Sequence, residues 1–263
     1  MEGPLFAVLL AHKKNSYNEV MVFSRHARLG RRQRITKVLS FSSEQEQHMC
    51  GRFTLTVDVQ RIATIFHVAP TLSTMPRYNI APTQEVVAIV RAHADEEAQL
   101  TMLRWGLIPA WAKEEAIGAK MINARAETLA EKPSFKRLLR SRRCLIVADG
   151  FYEWKQEAQG KTPIYITLKD HEPFAFAGLW DEWRPPSGEV LRTCTIITTQ
   201  PNEVVAPIHD RMPAILLPAS RESWLAPALQ DEHALLSLLG PYPAEQMTAR
   251  PVSKQVNNPK YDS

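Results

Sequence analysis

Four side chains of different chemistry interrupt apolar or turn-forming stretches of this 263-residue sequence: Cys50, Asn123, Glu153 and His209. Cys50 precedes Gly51 and Arg52. Asn123 follows Met121 and Ile122, with Arg125 and Glu127 just beyond. Glu153 lies between Tyr152 and Trp154, after an Asp149–Gly150 turn. His209 and Arg211 flank Asp210 between Ile208 and Met212-Pro213. A thiol, an amide, a carboxylic acid and an imidazole are a sufficient set for nucleophilic attack with acid–base assistance. Each also has a plainer reading. A His close to a Pro is usually a satisfied surface or core residue. A Glu between aromatics usually sits on the polar face of a strand. An Asn after an apolar run usually marks a turn. Composition and spacing leave open whether the four meet in space.

The elements that would bring them together alternate regularly after Met49. Apolar and alternating runs predict strands over 53–57, 85–91, 100–107, 144–148, 164–168, 174–180, 193–198 and 214–217. Helices are predicted over 59–67, 134–140 with Ser134 as its cap, 202–206, 220–225 and 231–239. Residues 71–83, rich in Pro and Thr, read as a loop. Strands outnumber helices and the connections are short. The predicted fold class is therefore α+β: a single compact domain with a largely antiparallel, barrel-like β core and short flanking helices.

The length suits one globular domain with or without an appendage, and can bury a full core without disulfide staples. The three cysteines have no paired spacing, which argues against a disulfide framework, and no C-x-x-C suggests zinc. Cys144 and Cys194 sit in apolar runs and read as small buried hydrophobes. No run of about 18 apolar residues exists, so no transmembrane helix is expected. The net charge of +4 is unevenly placed: residues 1–48 carry eight Lys and Arg against four Glu, and residues 49–263 carry 24 of each sign. Any nucleic-acid binding by the larger part therefore needs a local patch rather than a global field. Residues 1–48 also lack an apolar period able to bury a face. Their apolar run 5–11 follows Glu2 and precedes Lys13 and Lys14, the wrong polarity for a signal peptide. The segment reads as a non-conforming extension, either disordered or upstream of the true start. Its Arg-rich stretch 24–37 could alternatively serve as a DNA-binding arm.

Seven segments in series resemble the SOS response-associated peptidase (SRAP) family of abasic-site sensors. They are Met49-Cys-Gly-Arg-Phe53, Tyr78-Asn-Ile-Ala-Pro82, Trp105-Gly-Leu-Ile-Pro109 with Trp111, Ile122-Asn-Ala-Arg-Ala-Glu-Thr128, Asp149-Gly-Phe-Tyr-Glu-Trp154, Phe176-Ala-Gly-Leu-Trp180 and Ile208-His-Asp-Arg-Met-Pro213. The resemblance spans 49–263. It implies the SRAP fold with a positively charged cleft, and a protein that senses abasic sites in single-stranded DNA. It also implies a covalent DNA–protein crosslink, a thiazolidine made by an N-terminal cysteine. Only an N-terminal Cys carries a free amine and a thiol on adjacent carbons. An α-amino group with a pKa of about 8 is partly unprotonated at neutral pH, whereas a typical Lys is not.

By the same resemblance, Glu153 is the general acid–base group, Asn123 orients the Cys50 amine, and His209 contacts the sugar oxygen and assists proton transfer. Arg52, Arg125 and Arg211 are implied phosphate contacts, where a planar guanidinium grips two oxygens. Trp105 is expected in a wall that supports or separates bases. Thr198 is a weaker candidate for a DNA-backbone contact. Trp154 and Trp180 read equally well as core, and Asp210 as a residue that holds its loop. No metal, other cofactor or membrane is implied. The expected partner is single-stranded DNA with abasic sites. A monomer is expected, cytoplasmic and nucleoid-associated when bound to DNA.

The family's reactive cysteine is residue two, whereas here it is residue 50. An internal Cys50 has no free amine. Either the first 49 residues are removed by the protein itself, or translation begins at Met49 and the initiator Met is trimmed. The second route is preferred. The charge step falls there, and Gln45-Glu46 can be encoded as CAG-GAG, which contains a bacterial ribosome-binding sequence. Two other functions compete. A cysteine-type peptidase acting on itself or on other proteins would use the Cys50 thiol with His209 or Glu153 as base, but such nucleophiles are normally internal. A non-catalytic single-strand binding module would use the polar set for structure alone.

Overall fold

The structure, a computed structural model, describes residues 10–14, 17–21, 51–93, 95–185 and 188–262. The chain divides into two units, Met1–Gln45 and Glu46–Ser263. In the first, β1 (Leu10–Lys14) and β2 (Tyr17–Met21) pair antiparallel as a two-stranded sheet, a hairpin that the sequence reading of this segment lacked.

The second unit begins with β3 (Arg52–Leu55), α1 (Val59–Phe66), β4 (Arg77–Ile80), β5 (Glu85–Val90), β6 (Gln99–Trp105) and β7 (Asn123–Arg125). It continues with α2 (Pro133–Ser141), β8 (Arg143–Ala148), β9 (Gly150–Glu157), β10 (Gly160–Leu168) and β11 (Phe174–Trp183). Last come β12 (Leu191–Thr199), β13 (Met212–Pro213), α3 (Pro218–Leu225), α4 (Glu232–Ser237) and β14 (Met247–Pro251).

Five of these strands close a ring in the order β11, β8, β5, β6, β12, because β12 pairs back onto β11. All the ring's pairings are antiparallel except β6 with β12, where Cys194 lies opposite Trp105. The result is the expected α+β fold with a barrel core. Closure explains the composition of β8: all six of its residues are buried, so it reads as a continuous apolar run rather than an alternation. Cys144 and Cys194 are free, fully buried strand residues, and burial pushes both thiols up. β7 and β13 add to the barrel along β12, β7 in parallel and β13 antiparallel.

The other five strands form an antiparallel sheet ordered β14, β10, β9, β3, β4. It packs on the barrel through aromatic rings. Phe53 of β3 meets Trp105 of β6 at 5.2 Å and Phe176 of β11 at 5.6 Å, and Phe151 of β9 meets Phe176 at 6.0 Å. These tilted and edge-on contacts add specific geometry to the apolar burial. Gly150 at the head of β9 is needed for close approach: a Cβ there would lie 2.2 Å from the Tyr165 hydroxyl.

Several local expectations are corrected. α2 starts on Pro133 after Lys132, with no side-chain cap from Ser134, because Pro at the first turn lacks only an N–H that would be unsatisfied anyway. Residues 202–206 form turns rather than a helix. The Asn202 carboxamide oxygen accepts from the Val204 and Val205 amides at 3.1 Å, a local bond that competes with helix continuation. The expected loop 71–83 contains β4, paired to β3. The strand near 214–217 is two residues long and earlier, with Ile215 in a single bridge to Phe176.

One buried cation holds the helices to the barrel. Arg143, 4% exposed, donates to the carbonyls of Leu139 and Arg140 at the end of α2. It also donates to the carbonyls of Trp224 and Ala226 at the end of α3. Helix C-termini carry unsatisfied carbonyls and partial negative charge, which a guanidinium answers. Burial lowers its pKa to about 10. Arg143→Met should lower the unfolding free energy by about 4 kcal/mol, since it orphans several carbonyls at about 1–3 kcal/mol each. A urea denaturation midpoint unchanged from the parent would refute this role.

Candidate active site

Glu153 occupies the inner face of β9. Successive strand residues face opposite ways. Phe151 and Glu153 turn toward the barrel, and Glu153 is 2% exposed. Tyr152 turns outward, packs on Tyr165 of β10 at 4.9 Å and donates its hydroxyl to the Tyr78 carbonyl. β3 runs antiparallel beside β9, with Arg52 opposite Tyr152 and Phe53 opposite Phe151. The chain entering β3 therefore arrives alongside Glu153. Cys50, two residues before Arg52, lies outside the described residues.

Asn123 and Arg125 stand on β7, opposite Ile196 and Thr198 of β12. Asn123 is half-buried and Arg125 exposed. Trp105 ties this strand to β3. Its indole N–H donates to the Ile122 carbonyl at 2.9 Å while its ring packs on Phe53. Trp105 is 0% exposed, so its ring has no open face on which a nucleobase could stack. The loop that follows is fixed by Gly106, whose φ of +126° suits only glycine. That loop carries Trp111, which is 65% exposed and was read only as a motif residue.

His209, Arg211 and Thr198 gather beside β7. The Arg211 guanidinium, its side chain 8% exposed, grips both carboxylate oxygens of Glu127 at 2.5 and 2.8 Å and donates to the Thr198 carbonyl at 2.7 Å. These contacts bear on two of the expected DNA-binding residues. Arg211 already has its charge neutralised and its fork filled, and Thr198 is fully buried beneath it. The Arg211 partner in turn holds the Glu127 carboxyl below its usual range, with burial opposing. His209 accepts at Nδ1 from the Arg211 backbone N–H at 3.2 Å, and burial lowers its pKa, with Asp210 opposing.

Arg52 differs from Arg211 in its partners, which are all neutral: the Asn79 carboxamide oxygen at 2.8 Å and the carbonyls of Val256 and Asn257. Among the described residues neither Arg52 nor Arg125 makes an ion pair, so both keep a positive charge that could face a phosphate. Sequence reasoning missed the hub behind Arg52. Asn79, 1% exposed, donates to the carbonyls of Val256, Asn258 and Tyr261. Asp262 closes the strap by accepting from Arg77, Tyr78 and Asn79. Trp154 joins it through Asn257, whereas Trp180 is core, 3% exposed, with Arg142 stacked at 4.2 Å. The only sequence signal was the Asn within Tyr78-Asn-Ile-Ala-Pro82. Among the described residues no group of three or more His, Cys, Asp and Glu forms a metal site, and no helix is long and apolar enough to cross a membrane.

The fold is a barrel with an antiparallel sheet packed on it, Glu153 on β9 beside β3, and Asn123 and Arg125 on β7 along β12. The family model for SOS response associated peptidase (SRAP) matches residues 49–259, and the chain belongs to that family. It is 51% identical over 219 residues to the abasic site processing protein YoqW of Bacillus subtilis, covering 82% of this chain and 97% of that one. It is 36% identical over 218 residues to the abasic site processing protein HMCES of Gallus gallus, covering 72% of this chain and 64% of that one. A crystal structure of a protein from Bacteroides thetaiotaomicron superposes with a TM-score of 0.71 at 30% identity, covering 78% of this chain and 93% of that one.

Proposed function

We propose that this protein processes abasic sites in single-stranded DNA, with Cys50 as the N-terminal residue of its working form and residues 1–48 not part of the working domain. The observation that carries the reading is the buried Glu153 carboxyl beside the strand that Cys50 enters. Two peptide units limit the Cys50 Cα to about 7 Å from that of Arg52. The names of the relatives and the order of the family motifs support the substrate.

An abasic deoxyribose opens to an aldehyde. The Cys50 amine adds to its C1′ carbon and water leaves, giving an imine. The Cys50 sulfur then adds to the same carbon, its proton passing to the nitrogen, and a five-membered thiazolidine closes. The net change is the loss of one water. Glu153 takes and returns the protons of these steps. Asn123 orients the amine, and His209 meets the sugar oxygen. Arg52 and Arg125 receive phosphates, and the exposed Trp111 offers a stacking face in place of Trp105.

The test incubates protein beginning at Cys50 with single-stranded DNA holding one abasic site. The expected product is a heat-stable adduct with the summed mass less one water, and none from a chain that retains residues 1–49. Cleavage of added protein substrates without an adduct would favour the peptidase instead. Reversible binding alone would reduce the site to a binding module.

A further inference from the structure

The interactions around His209 go beyond what the reaction requires of it. A neutral imidazole has one donor and one acceptor nitrogen, and the partner of one decides the role of the other. His209 Nδ1 accepts from the Arg211 N–H, which leaves the proton on Nε2. The Asp210 carboxylate lies 2.9 Å from the same nitrogen, but no hydrogen bond joins them among the described residues, and its side chain is 86% exposed to screening solvent. The competing Arg211 N–H is held in place by its own buried side chain. That guanidinium is clamped by Glu127 and by the Thr198 carbonyl, which ties the residue after Asp210 to β12.

We infer that Glu127 and Arg211 are positioning residues that fix the tautomer of His209, so that the imidazole offers Nε2–H as a hydrogen-bond donor. This rests on the site reading proposed above and divides its labour. Glu153 exchanges protons, while His209 donates to the sugar oxygen as the ring opens and that oxygen gains negative charge. It also explains why an arginine beside a DNA site is neutralised: a carboxylate at Glu127 would weaken a phosphate contact but strengthens a fixed loop. Asp210 on its own loop and Lys161 of β10 act on the His209 charge in opposite senses.

The test reads the tautomer directly, without DNA. Protein labelled with nitrogen-15 in histidine gives long-range proton–nitrogen correlations that distinguish Nδ1–H from Nε2–H. The chain has eight histidines, so a His209→Gln variant identifies the signal. The parent protein should show the Nε2–H form alone. Glu127→Ala should populate both tautomers and slow adduct formation about tenfold, part of the 10²–10⁴ ascribed to a lost acid–base group. DNA affinity should not fall, since the substitution removes a negative charge. Glu127→Gln, which keeps the shape and one acceptor, should lie between and serves as the readout if the alanine variant does not fold. An Nδ1–H parent, or an unchanged tautomer in the folded Glu127 variants, overturns the inference. A tautomer that shifts as expected in a protein that forms no adduct supports the positioning and defeats the functional reading instead.

Discussion

Cys50→Ala, in protein beginning at that position, should form no heat-stable adduct with abasic single-stranded DNA, yet should still be trapped on it by borohydride. The substitution keeps an N-terminal amine and removes only the sulfur. The amine can still condense with the aldehyde, because that step needs a lone pair that a group of pKa about 8 supplies at neutral pH. The resulting imine hydrolyses on heating unless it is reduced. Without the thiol the ring cannot close, so loss of the stable product should be complete rather than partial. A heat-stable adduct formed by this variant without borohydride would sink the thiazolidine chemistry. Failure to trap it with borohydride would sink the amine step.

Glu153→Gln should reach the same final adduct as the parent, but about 10²–10⁴-fold more slowly, the usual contribution of a positioned acid–base group. Glutamine nearly preserves shape and hydrogen-bonding reach. It cannot take up and return a proton. Both reactive groups of Cys50 remain, which is why yield and rate should separate. Single-turnover time courses measure both. Crosslinking at the parent rate would leave Glu153 as a buried structural carboxyl, and some other group would have to move the protons. A drop in final yield with an unchanged rate constant would point to misfolding, which a denaturation curve of the same variant would expose.

How much was legible beforehand follows from the range of each interaction. Local periodicity and residue type placed most strands, including the continuous apolar run of β8 and the cysteines within it and within β12. They also picked out Cys50, Asn123, Glu153 and His209, since a polar group among apolar neighbours is visible in a window of a few residues. β4 escaped because a Pro- and Thr-rich stretch has no strand period, and it exists through its pairing with β3. β9 escaped because its exposed end turns polar.

Orientation and partnership were decided only by the tertiary structure. Trp105 looks the same in sequence whether its indole faces a nucleobase or the Ile122 carbonyl; packing of β3 on the barrel buries it. Nothing near Arg211 in sequence shows that its guanidinium pairs with Glu127, 84 residues away in the chain. Arg143 shows no local sign that it caps two helices, one of them about 80 residues distant. The sequence by itself determined which functional groups this protein possesses and the family to which its motifs belong. The tertiary structure decided which neighbours Trp105, Arg211 and Arg143 meet, because a charge or a ring is committed by whatever non-local neighbour the fold brings within about 3–5 Å of it.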